Sequence, residues 1–228
     1  MKHVGAVLLL LLFLGSGTIS ADITFSSNED FIGHLQRYFR KKNPEMIDAA
    51  IRYLATEYGT VTDHSYPGFA AFFAKVFSDN PKRLPVWREQ LNTYEIRSNA
   101  ATVFQMAMTY TLENMIRQQE FNPTLNDILW GGYYASGERT YVVQVIENMK
   151  HLDERNNLMH FVTSHSAKWS LSVNSRSHHE VKKIIQDEIR SKSPYKAALE
   201  EVLKKDPDTI NEEMNAILKE QRENGVWE

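Results

Sequence analysis

The chain has 228 residues, 42% hydrophobic and 24% charged, with a formal net charge of −3 at pH 7 and no cysteine. The absence of thiols excludes a disulfide framework, a thiolate metal site and a cysteine-borne lipid anchor, and a chain of this length buries a sufficient core without them. The densest basic stretch holds only Arg37, Arg40, Lys41 and Lys42, which is no footprint for nucleic acid.

Residues 1–21 have the parts of a secretory signal. Lys2 and His3 precede an apolar run from Val4 to Leu14, which Gly15, Ser16 and Gly17 break before Thr18-Ile19-Ser20-Ala21. A bilayer-spanning helix needs roughly 20 apolar residues, so this run reads as a cleavable signal that ends at Ser20 or Ala21. Residues 22–228 then form a single α-helical domain, exported to the periplasm or secreted. A disulfide-free exported domain of this size fits a bacterial periplasm. The basic cluster at Arg37–Lys42 falls at a helix end, where cations complement the dipole.

The mature region is expected to be all-α, with about ten helices in antiparallel hairpins and a helical-repeat character. Five prolines follow Asn, Ser or Asp, at Asn43-Pro44, Asn80-Pro81, Asn122-Pro123, Ser193-Pro194 and Asp206-Pro207. Proline keeps its predecessor out of the helical region and itself suits the first helical position, so each pair predicts a helix start. Ser177 with Glu180 predicts a capping box. Apolar stripes of helical period follow: Met46 to Tyr58 closed by Gly59, Phe69 to Phe77, Tyr141 to Met149, Val181 to Ile189, Val202-Leu203 and Ile210 to Leu218. The uncharged stretch from Ser98 to Leu112 predicts a buried central helix over residues 99–118. No sustained period-two run predicts a strand.

Two segments stand out. In the first, Leu125 to Ile146 with Asp127-Ile128-Leu129-Trp130-Gly131-Gly132-Tyr133-Tyr134-Ala135-Ser136-Gly137, the glycine at 137 predicts a left-handed helix end. Leu129, Tyr133, Gly137 and Ile146 resemble the packing positions of one tetratricopeptide hairpin. The second segment is Ala167-Lys168-Trp169-Ser170-Leu171-Ser172-Val173-Asn174-Ser175-Arg176-Ser177-His178-His179-Glu180-Val181. Together the two segments resemble a family of exported bacterial helical proteins with no assigned activity. That resemblance implies export and a helical fold, and it brings no cofactor or partner.

If the helix of Trp130–Ser136 packs on that of His165–Trp169, with Gly132 at the crossing, then Trp130, Tyr134, Trp169, Asn174 and His178 form a pocket. The plainer expectation makes the tryptophans core anchors and residues 174–177 a polar turn that caps the next helix. His165 lies in an apolar stripe, as a core histidine would. His160 and His165 are five residues apart, off the spacing of a helical metal pair, and no His-Glu-x-x-His pattern occurs, so no metal site or cofactor is expected. Asp153-Glu154 reads as a solvated face. Ser193-Pro194-Tyr195-Lys196 matches a serine–lysine pattern but lacks its companion motifs. The leading expectation is a module that binds a protein or peptide. An envelope enzyme using Asp127, Lys168, His178 or Glu180, or a secreted effector, is the alternative.

Overall fold

The computed structural model describes residues 23–56, 62, 65–95 and 98–227. The signal at 1–21 and the expected stop at Tyr58 and Gly59 lie outside the described residues. Twelve α-helices are present among the described residues, with no strand, so the all-α expectation holds. They are α1 Asn28–Gln36, α2 Pro44–Thr56, α3 Tyr66–Asp79, α4 Leu84–Asn92, α5 Ser98–Thr109, α6 Leu112–Gln118, α7 Pro123–Ser136, α8 Arg139–Glu147, α9 Leu158–Ser177, α10 His179–Arg190, α11 Lys196–Lys204 and α12 Pro207–Glu223. Short 3-10 turns at Tyr38–Arg40 and Asn148–His151 lead out of α1 and α8.

Three of the proline starts occur where the sequence places them. Asn43, Asn122 and Asp206 each accept a backbone N–H two residues on, at 3.0 Å. The other two differ. Asn80 closes α3, its amide donating to Val76 O at 2.8 Å, and α4 begins only at Leu84 with Pro85 in its first turn. Ser193-Pro194 is a turn before α11. The capping box is also absent. Helix α9 runs through Ser177 because Asn174 and Ser175 continue its buried face, and His178 becomes the residue between α9 and α10. Residues 174–177 are therefore the last turn of a helix and not a loop.

The centre is occupied by α3 and α7, not by residues 99–118. That stretch breaks at Tyr110-Thr111, where the Thr111 hydroxyl accepts the Asn114 N–H and starts α6. In α5, Ala100, Val103, Phe104 and Ala107 are buried, while Thr and Gln side chains cover the outer face. An uncharged helix is thus one-sided here. By contrast, α3 buries Ala70, Ala71, Phe72, Phe73, Ala74, Val76 and Phe77 around most of its circumference. It meets α7 backbone to backbone. A Cβ on Gly131 would run into Gly68 O and lie 3.0 Å from Ala71 Cβ and Phe72 N. Gly137 ends α7 at φ 77°, its N–H donating to Tyr133 O, as a left-handed cap requires.

Helix α9 organises the C-terminal half, touching α7, α8, α10, α11 and α12. It is the least amphipathic long helix, because much of its buried surface is hydroxyl and amide: Thr163, Ser164, Ser172, Asn174 and Ser175 are all buried. Those groups are hydrogen-bonded, which makes their burial tolerable. His165 is buried as expected. Its Nε2 lies 3.2 Å from Leu152 O, and burial pushes its pKa down to about 4.

Candidate cleft between α1, α3, α7 and α9

Helix α7 joins α9 through a ladder with one constant register. The Asn126 amide donates to Thr163 O at 3.0 Å and to Ser166 Oγ at 2.7 Å. One turn on, Trp130 Nε1 donates to Ser170 Oγ at 3.0 Å, and another turn on Tyr134 OH donates to Asn174 Oδ1 at 2.5 Å. Residues four apart on one helix thus meet residues four apart on the other, so the two helices run in the same direction, with α8 between them in sequence. Gly132 is not at this crossing. A Cβ there would meet Leu112 Cδ2 at 2.6 Å and Tyr141 at 3.3 Å, on α6 and α8.

The ladder forms one wall of a cleft of about 550 Å³. Asp127, Trp130, Gly131 and Tyr134 supply it from α7, at the i, i+3, i+4, i+7 spacing of a single helix face. Trp169, Ser170, Val173 and Asn174 come from α9, Gly68, Phe69 and Phe72 from α3, and Ile32, Leu35 and Gln36 from α1. Thr62 and Ser65 complete it. Trp130 and Tyr134 stack at 5.9 Å with 22° between their planes. Ile32 and Trp169 stand exposed at the mouth, Trp169 at 41%. Trp169 is thus no core anchor, whereas Trp130 is, at 5%.

Four of the five expected pocket residues, Trp130, Tyr134, Trp169 and Asn174, line this cleft. His178 does not. It is buried behind Tyr134, with ring centroids 5.7 Å apart, and its Nδ1 accepts from Arg40 at 3.4 Å. Burial and then the Arg40 charge hold its pKa below the usual histidine value, and its Nε2 has no partner among the described residues.

Asp127 is the one acidic residue lining the cleft among the described residues. Its carboxyl reaches solvent, yet it is ringed by apolar walls that displace much of its hydration, and its pKa rises to about 6. It makes no side-chain hydrogen bond or ion pair among the described residues. The same surroundings push the Tyr134 phenol well above its ordinary value.

The remaining acid–base candidates lie apart and are engaged elsewhere. Lys168 is buried on another face of α9, 2.5 Å from Glu201, and Glu180 takes two hydrogen bonds from Arg40 at 2.9 and 3.0 Å. A second group of donors escaped the sequence reading: His151, Glu154 and His160 come together at the start of α9. The spacing His-x2-Glu-x5-His around the Asn157 cap was the available signal, but loop residues carry no periodicity to reveal it.

No family model matches the chain, and no curated protein or solved structure matches it either. No helix among the described residues is long and apolar enough to cross a membrane.

Proposed function

We propose that this is an exported, periplasmic binding protein whose cleft takes a cationic, apolar side chain presented by a partner peptide or protein. The observation that carries the reading is Asp127, an exposed acid without a partner among the described residues, lining one cleft with the rings of Phe69, Phe72, Trp130, Tyr134 and Trp169. Aromatic faces attract cations, by about 0.5–1 kcal/mol when exposed and about 2 kcal/mol when desolvated. An unpaired carboxylate in such a site adds a directional charge. A volume of about 550 Å³ is that of a pocket for one or two side chains. Binding is favoured over catalysis because no histidine, lysine or second carboxylate lines the cleft with Asp127 among the described residues, and the lining hydroxyls of Thr62, Ser65, Ser170 and Tyr134 each donate within the protein, whereas general acid–base chemistry needs a positioned partner.

The test is a matched pair of short capped peptides, Phe-Lys and Phe-(Nε-acetyl-lysine), titrated into residues 22–228 by calorimetry. The lysine peptide should bind at least tenfold more tightly. Equal affinities, or no binding of either, would remove this reading.

A further inference from the structure

The start of α9 carries a second place with the chemistry of a binding site. His151 ends the 3-10 turn after α8, Glu154 lies in the following loop and His160 sits in the first turn of α9. Their ligand atoms lie within 4.8 Å of one another. Both imidazole Nδ1 atoms converge on the same carboxylate oxygen, His151 at 2.7 Å and His160 at 3.0 Å from Glu154 Oε2. The two rings lie face to face with centroids 4.3 Å apart, and Phe121 lies beside the stack, steeply inclined to both rings, at 5.2 and 5.5 Å.

The backbone that carries these groups is tied down. Asn157 Oδ1 accepts the His160 N–H at 3.1 Å, and Ser164 Oγ accepts the His151 N–H at 3.2 Å. Arg155 donates to the carbonyls of Leu152 and Glu154 at 2.8 and 3.1 Å, which fixes the loop between them. All three ligand residues are partly buried and still reach water.

From this convergence we propose that His151, Glu154 and His160 bind one divalent transition-metal ion, with Zn2+ as the best match. Two imidazoles and one carboxylate are a ligand set suited to zinc, with water filling the open position. Zinc–ligand bonds of about 2.0–2.2 Å place tetrahedral donors roughly 3.3 Å apart, so the shared contacts need to open by only a few tenths of an ångström. The ion takes the place of the imidazole protons that now face Glu154, and the two ring planes turn out of their 23° stack to aim at it. Neutral histidines are required, so protons compete with the metal as pH falls. Lys150, whose Nζ lies over the outer partner Phe121 at 4.6 Å, adds a positive charge nearby that moderates the affinity.

The test is calorimetric titration of tag-free, chelator-treated protein with ZnCl2 at pH 7.5, together with NMR of the histidine ring protons. The expected result is one Zn2+ per chain, with affinity lowered at least tenfold in both His160→Ala and Glu154→Gln. His179→Ala should leave affinity unchanged, because that side chain is exposed and outside the cluster. In the wild type, Zn2+ should shift the ring signals of His151 and His160 and leave those of His34 in place. Failure to bind at millimolar Zn2+, shifts confined to other histidines, or affinity in either variant equal to that of the wild type would overturn the assignment.

Discussion

Helix α7 meets its two large neighbours in opposite ways. Against α3 the contact is apolar and as close as backbones allow, because Gly131 and Gly68 have no side chains to hold the helices apart. Against α9 the contact is held by side chains of intermediate and large size, Asn126, Trp130 and Tyr134, each reaching a hydroxyl, amide or carbonyl. A helix drawn tightly to one side and held off on the other leaves a wedge. The cleft opens along it, with Asp127 on the same face of α7 as Trp130 and Tyr134. Apolar contact thus sets how closely these helices approach, while the polar ladder sets their register.

Three substitutions probe the difference. Gly131→Leu has the largest expected effect, since the new side chain must force α3 and α7 apart against backbone. Overpacking typically costs about 1–3 kcal/mol and here should reach about 3 kcal/mol or more. Urea denaturation measures it, and a loss below about 1 kcal/mol would mean the two helices are not held in contact. Asn126→Ala comes next. It strips the buried Asn148 amide of the acceptor it reaches at 2.8 Å and leaves Thr163 O without that donor, at a cost of roughly 2–3 kcal/mol. The same denaturation experiment should show this loss, and Gly131→Leu should exceed it. Trp169→Ala is the smallest, below about 1 kcal/mol in stability, because the ring is already exposed at the mouth. Its effect should fall on ligand affinity, so a large stability loss would make Trp169 a core residue after all.

Much of the helical layout was legible in the sequence, because it rests on local chemistry. Asn122-Pro123 and Gly137 bracket α7 through cap geometry alone, and the stripes from Met46 and Val181 bury as their period requires. Prolines misled where a turn competed with a helix start, at Asn80 and Ser193. The uncharged stretch near Met106 misled because lack of charge is a weaker signal than true apolarity. For the cleft, the segments holding Trp130, Tyr134, Trp169 and Asn174 were identifiable by composition. Their partners Ile32, Phe69 and Phe72 were not, since which faces of α1 and α3 meet α7 is decided by long-range packing. Gly132 does not mark the crossing with α9 that the small face suggests: it faces α6 and α8, while Gly131, 100° around the helix, meets α3. The histidine–glutamate group was invisible for a similar reason, as it is assembled by a loop and two different helical turns.

The most direct test of the account is the pH dependence of peptide binding in the wild type and in Asp127→Asn. Loss of hydration among the apolar walls of the cleft raises the Asp127 pKa from 3.8 to about 6, so the carboxylate is mostly charged above pH 6 and mostly protonated below it. Affinity for the Phe-Lys peptide should therefore be full at pH 8 and fall as pH drops through about 6. In Asp127→Asn it should be at least tenfold weaker at pH 8 and flat across that range. The raised pKa has a second consequence of definite sign. The folded state holds its proton more tightly than the unfolded chain, so ionising Asp127 between about pH 4 and 6 lowers stability. The asparagine variant should then be no less stable than wild type at pH 7. Peptide affinity that is independent of pH between 5 and 8, or that survives Asp127→Asn unchanged, would contradict the central claim.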